Sequence, residues 1–174
     1  MKEMKTGMDI FYDRRSVRLY TEEKIPDEDI DKILRAGFYA PTAVNKQETD
    51  FIVVTDRTKM EEINKVHPYA KMLLNCSHAI IVCGDLKKSF GPDYWVCDAS
   101  AATENILLCA HMLGYGAVWL GVYPEKDRME GVKKIFNLPE HIEVLSIVSL
   151  GVPKRTDQKR PERYDETRVH HETW

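Results

Sequence analysis

Residues 95–113 constrain this chain more than any other stretch. Ala99, Ala101, Ala102, Ile106, Leu107, Leu108, Cys109, Ala110 and Leu113 give a helix with little polar surface on any side. A surface helix carries one apolar stripe, whereas a helix apolar on most sides must be enclosed by a core or by an oligomer interface. The remaining sequence has to supply that enclosure. With 174 residues, one domain can bury about two-thirds of the surface its unfolded chain exposes. A single domain over residues 1–174 is therefore expected, with residues 153–174 as an extended arm.

The rest of the chain reads as helices and strands around that helix. Residues 8–14 form a short helix, and residues 16–20 look extended, with Ser16, Arg18 and Tyr20 on one side. Pro26 opens a second helix, whose first turn carries Asp27, Glu28 and Asp29 at its positive end. Ile30, Ile33, Leu34, Gly37 and Phe38 are its buried stripe, and it stops near Ala40-Pro41. Residues 50–55 (DFIVVT) are a strand, after which Asp56 caps a helix with Met60, Ile63 and Val66 inside. Residues 78–83 (HAIIVC) are apolar throughout and read as a strand buried on both faces. Gly114 and Gly116 turn the chain out of the long helix into a third strand, 117–122. Pro124 opens a helix carrying Met129, Val132, Ile135 and Phe136, closed by Asn137 and Pro139. Residues 143–152 (EVLSIVSLGV) are the fourth strand. The first two helices precede any long strand, so the pattern is α+β rather than doubly wound: a mixed, mainly antiparallel central sheet flanked by helices.

Composition narrows the classes of partner. The chain is 43% apolar and 30% charged, with a net charge of −3, which fits a soluble globular protein with no general affinity for nucleic acid. No secretory leader is expected from residues 1–7, and no uncharged apolar run approaches the roughly 20 residues of a membrane span. A cytoplasmic address follows by default. Cys76, Cys83, Cys97 and Cys109 form no CxxC pair and read as small apolar core residues in a reducing compartment. His111 on the long helix and His170-His171 in the tail have no metal-ligand spacing, so no metal site is expected. Residues 153–174 are rich in charge and poor in aliphatics. They read either as a solvated tail or, because Tyr164, Val169 and Trp174 recur at regular spacing, as an arm gripping a partner subunit.

The familiar nucleotide cradles, GxGxxG after a strand and GxxxxGK[ST], are absent, as is a GxSxG nucleophile elbow. Chemistry without a side-chain nucleophile is often carried by a bound cofactor. Three segments suit one. Arg14-Arg15-Ser16-Val17-Arg18 sets three permanent cations in five residues; alone it reads as a solvated basic turn, but planar guanidinium forks match phosphate oxygens. Residues 40–47 (APTAVNKQ) put a hydroxyl and two side-chain amides before a strand, suited to the mixed edge of a heteroaromatic ring. In residues 118–124 (VWLGVYP), Gly121 lets backbone approach a ligand closely.

Together these segments resemble the nitroreductase family of FMN-dependent oxidoreductases, over nearly the whole chain. The resemblance also takes in Tyr69-Ala70-Lys71-Met72 and the tail from Arg163 to His170. It implies a homodimer with two sites at the interface, exchange of the C-terminal arms, FMN as cofactor, and NADH or NADPH as reductant. Arg14, Arg15, Ser16 and Arg18 match the stretch holding the phosphate, ribityl chain and pyrimidine side of FMN, with Arg18 at the N1–O2 edge. Pro41, Thr42, Ala43 and Asn45 match a loop reaching the flavin from the other subunit. Lys71 matches a basic position near the pyrimidine ring, and Leu120 and Gly121 match the turn whose backbone N–H faces N5. Arg160 and Arg163, with Lys159, match basic residues closing on the phosphate.

The implied activity is ping-pong reduction of nitro-aromatic, quinone or related small acceptors. Two alternatives stand beside it: a non-enzymatic FMN-storage dimer, and other flavin chemistry such as reductive dehalogenation. Branches with such chemistry carry a lid insertion, and only residues 86–95 are available for one. The chain departs from the family pattern at Gln47-Glu48-Thr49, where an aromatic is lost and a negative charge is expected beside the loop, and at Ala43, which lacks a hydroxyl.

Overall fold

Every side chain of strand β2 (His78–Asp85) is buried, and this decides the architecture. Alternation sends Ile80 and Val82 to one face of the sheet and Ala79, Ile81 and Cys83 to the other, so both faces need a helical cover. The computed structural model describes residues 7–156 and 162–174. In chain order it holds α1 (Asp9–Asp13), α2 (Asp27–Phe38), β1 (Thr49–Val54), α3 (Arg57–Val66), β2, α4 (Tyr94–Met112), β3 (Gly116–Gly121), α5 (Lys126–Phe136) and β4 (Ile142–Gly151). The sheet order is β1-β2-β4-β3 and every neighbouring pair is antiparallel.

Helices α2 and α4 cover one face, packing Ile30, Ile33, Ala99 and Ile106 onto Ile80, Val82, Val148 and Leu150. Helix α3, with α5, covers the other, where Met60, Ile63 and Val132 meet Ile81, Val118 and Ile147. The near-apolar helix is thus the spine of one layer: Ala99, Ala102, Ile106 and Ala110 are all at most 1% exposed. Asp56 caps α3 as expected, its carboxylate accepting from the Thr58 and Lys59 amides. Among the described residues no helix is long and apolar enough to cross a membrane.

The α+β class holds, but the expected mixture of strand directions reduces to one parallel bridge, Ser16 to Ala117, beside an antiparallel sheet. Four local expectations change. Gly116 lies inside β3 rather than in the turn, which Gly114 makes alone at φ 80°. Pro124, in a cis bond after Tyr123, stays in the connection, and α5 starts at Lys126 behind Glu125. Phe38 is 63% exposed because Gly37 makes the close approach to Ile106, leaving Phe38 edge-on to Phe51 at the helix end. Of the cysteines only Cys76 and Cys83 are buried; Cys97 is exposed on α4 and Cys109 half-buried.

Tyr20 also leaves the side shared by Ser16 and Arg18. Val17 packs over Gly116 and Tyr20 over Gly151, two glycines paired across β3 and β4. A Cβ on either would come within 2.6 Å of the opposing side chain. The two glycines form a groove that seats residues 16–20, so Val17 and Tyr20 turn inward while Ser16 and Arg18 stay exposed.

Candidate functional site

The groove fixes where the arginines go. Val17 N–H donates to Ala117 O at 2.9 Å and Thr21 N–H to Val152 O at 2.8 Å, pinning both ends of the segment to the sheet. Just before it, α1 delivers Arg14 and Arg15 to an open cleft of about 370 Å³. Glu162, Arg163 and Tyr164 line the cleft from the tail, together with Phe11 and Tyr12. Three of the expected cationic residues, Arg14, Arg15 and Arg163, therefore converge across more than 140 residues of sequence.

They are not equivalent. Arg14 is half-buried and its Nε lies 3.3 Å from the Glu104 carboxylate on α4. Arg15 folds back onto the end of α1, donating to the carbonyls of Tyr12 at 2.8 Å and Arg14 at 2.6 Å, so part of its fork satisfies a helix terminus. Ser16 and Arg18 do not line the cleft; Ser16 bridges to β3 and Arg18 is exposed beside Tyr20. Arg160, and Lys159 with it, lie outside the described residues.

The amide-rich loop stands on α4 instead. Thr42 Oγ1 accepts from Gln47 N–H at 3.0 Å, and Ala43 N–H donates to Asp98 Oδ2 at 2.8 Å. Val44, Asn45 and Gln47 all sit near φ +50°, where β-branched Val44 is strained, and Val44 is 70% exposed. Pro41 and Asn45 are exposed as well. The loop holds its shape through Asp98 while presenting its tip outward.

Beneath the loop the sequence expectation fails. Glu48 is fully buried, not a negative charge beside the site. Neither of its carboxyl oxygens has a well-formed hydrogen-bond partner among the described residues. Its neighbour is the Asp98 carboxyl, and two carboxyls at close quarters resist losing both protons. Burial first, then Asp98, raises the Glu48 carboxyl above its ordinary range, and Lys46 opposes this weakly. Residue type alone gave no sign of the pairing, because Asp98 lies on a helix read as apolar.

A pH dependence follows. With its carboxyl raised above the ordinary range, Glu48 holds its proton to higher pH in the fold than in the unfolded chain. Its contribution to stability is therefore complete at low pH and is lost as pH rises. Glu48→Gln stays neutral at every pH and keeps a donor for Asp98. It is expected to raise Tm by about 2–4 °C at pH 8, the change made by roughly 1 kcal/mol in a chain of this size, with the gain shrinking toward pH 5. Calorimetry of both proteins across that range checks it; a gain independent of pH would mean Glu48 is ionised in the fold.

The third expected element lies at the end of β3. Leu120 is buried and Gly121 half-buried. Most glycines of the fold carry a packing reason: a Cβ would strike Phe51 or Ile106 at Gly37, Trp95 at Gly84, Val17 at Gly116, Val66 at Gly131 and Tyr20 at Gly151. At Gly121 a Cβ would meet none of the described residues within 4 Å, and its φ lies outside the left-handed region. Neither packing nor backbone conformation of the chain requires a glycine there. A Cβ would fill only the open space that a closely approaching ligand needs. Beside it, β4 bulges at Leu145, whose carbonyl accepts from both Val122 N–H at 3.1 Å and Tyr123 N–H at 3.0 Å, re-aiming the strand end. Lys71 opens the turn Lys71–Leu74, which follows His67, and His67 hydrogen-bonds to Gly121.

Comparison with known proteins fits this arrangement. The model of the Nitroreductase family matches residues 12–74 and 64–152. A chain of Archaeoglobus fulgidus named "Putative NADH dehydrogenase/NAD(P)H nitroreductase" is 47% identical over 98% of this chain and 100% of its own length. A solved structure from Parabacteroides distasonis superposes with a TM-score of 0.92 at 39% identity, covering 96% of this chain and 98% of the other. A nitroreductase-like structure from Desulfovibrio desulfuricans in complex with FMN superposes with a TM-score of 0.83 at 26% identity, covering 96% of each chain. The chain belongs to the nitroreductase family.

Proposed function

We propose that this chain is an FMN oxidoreductase that takes electrons from NADH or NADPH and passes them to a small acceptor such as a nitro-aromatic or a quinone. The observation that carries the reading is Gly121, the glycine at the mouth of β3 whose missing side chain leaves space that none of the described residues fills. The convergence of Arg14, Arg15 and Arg163 supports it, because such a cluster suits the phosphate of a nucleotide. FMN, when bound, supplies two-electron hydride chemistry, which explains why no side-chain nucleophile was found.

The protein's own groups then have separable tasks. Arg14, Arg15 and Arg163 hold the phosphate end. Arg18 and Lys71 supply fixed positive charge for the pyrimidine side, which favours the reduced, anionic ring. The Gly121 N–H points a donor at the hydride-exchanging edge, with Leu120 fixing it from the core. An open face beside Gly121 lets reductant and acceptor take turns, a ping-pong order.

The working unit in this reading is a homodimer, with the Pro41, Thr42, Ala43 and Asn45 loop of each subunit facing the flavin of the other. Large apolar side chains left exposed in one chain support it: Phe11, Leu19, Tyr39, Val44 and Trp174. The tail favours the arm reading too, since Tyr164 is 70% exposed and Trp174 fully so, stacked on His170. All four cysteines are free, which suits the cytoplasm.

The test is anaerobic addition of NADH or NADPH to the purified yellow protein, followed by a nitro-aromatic or quinone. Bleaching by one nicotinamide and recovery with the acceptor is the expected result. A yellow protein that neither nicotinamide bleaches would be a flavin store, and a colourless one that takes up no FMN would overturn the flavin reading.

A further inference from the structure

Gly121 is held in a way its neighbours on β3 are not. Its carbonyl oxygen accepts from two side chains at once: His67 Nε2 at 2.9 Å and Arg128 Nη1 at 3.1 Å. A carbonyl has two lone pairs, and both are used by side chains from different elements. His67 ends α3 on one side, and Arg128 stands in the first turn of α5 on the other. We propose that His67 and Arg128 are positioning residues that clamp the Gly121 peptide, setting the angle at which the β3 terminus meets the ligand.

The clamp fixes the state of His67. Tyr69 N–H donates to His67 Nδ1 at 3.3 Å, so Nδ1 is the acceptor and Nε2 carries the proton toward Gly121. His67 is 1% exposed, and burial together with the Arg128 charge favours its neutral ring. Arg128 lies 5.5 Å from the Tyr69 ring centroid, and the two rings of His67 and Tyr69 meet edge-on at 6.3 Å. The parts therefore form one braced unit. A glycine has the loosest backbone of any residue, and open space lies over its Cα. The two side-chain bonds hold this peptide before the ligand arrives.

The inference rests on the flavin reading for its functional consequence but not for its geometry. Arg128→Met removes one donor from a half-buried site, and His67→Gln keeps an Nε2–H donor of similar reach without the imidazole. In the apoprotein, the carbonyl ¹³C resonance of Gly121 should move upfield in Arg128→Met and stay near its wild-type position in His67→Gln. In the loaded protein, Arg128→Met should bind FMN within about threefold of wild type, shift the visible spectrum of the bound flavin, and slow its reduction by about tenfold or more. His67→Gln should restore most of the rate lost in a His67→Leu variant. A Gly121 carbonyl signal and a reduction rate both unchanged in Arg128→Met would overturn the clamp. If wild type binds no FMN, the flavin reading falls, while the carbonyl signal still decides whether the clamp exists.

Discussion

An Arg14→Ala, Arg163→Ala double variant is expected to fold normally and to bind FMN at least about 100-fold more weakly than wild type. Each charge-assisted contact to a phosphate contributes roughly 1.5–3 kcal/mol, and each 1.4 kcal/mol is about tenfold in affinity. Arg14 and Arg163 come from opposite ends of the sequence and line the same cleft, so their loss removes two of its three lining cations. The stability cost should stay below about 1 kcal/mol. Arg163 is exposed, and the Glu104 carboxylate that loses Arg14 is 45% exposed and can be hydrated. Arg15 is the poorer test, because its bonds to Tyr12 and Arg14 also finish α1 and its removal would mix unfolding with affinity. Titration of the apoprotein with FMN by fluorescence quenching, alongside a melting curve, separates the two effects. An unchanged Kd in a folded double variant would return the arginines to ordinary surface charge.

The layout of the core could be read from the sequence because it rests on local periodicity. The apolar run at residues 78–83 announced a strand covered on both faces, and the alanine-rich helix announced the spine of a layer. What escaped was set by contacts between distant residues. Nothing near Glu48 indicates Asp98, so a buried carboxyl with a raised pKa reads as a surface charge. Tyr20 was given the wrong face because strand alternation was applied to a segment with only isolated bridges, where the glycine groove rather than a ladder decides orientation. Phe38 failed similarly, since helical periodicity says which face is apolar but not where the covering helix ends. Among the candidate site residues, Arg14, Arg15 and Arg163 line one cleft, and Ser16 and Arg18 are not among its lining residues. His67 and Arg128 carried no signal at all. Each looked like an ordinary helix residue until the fold set both against one carbonyl.

The glycine groove gives the second large effect. Gly151→Ala would place a Cβ 2.6 Å from both Cγ and Cδ1 of Tyr20 and 2.9 Å from its Cβ. The ring cannot swing aside cheaply. Its hydroxyl lies 2.6 Å from Ser149 Oγ and donates to Val17 O at 2.6 Å, so it is pinned at the far end. Relief requires residues 16–20 to lift from the sheet, breaking these bonds and the backbone bridge from Tyr20 to Pro153. Overpacking costs about 1–3 kcal/mol and an orphaned buried polar group about 1–3 more, so a loss of about 2–6 kcal/mol is expected, of order 10 °C in Tm. Because the same segment carries Arg18 and anchors Arg14, FMN affinity should fall with it. Gly121→Ala is the informative contrast: its Cβ meets none of the described residues within 4 Å, so Tm should stay within about 1 °C while the ligand's approach is obstructed. Melting curves of the two variants, each with and without FMN, distinguish a glycine kept for packing from one kept for a ligand. Equal stability losses in both would remove that distinction, and with it the argument that Gly121 marks the site.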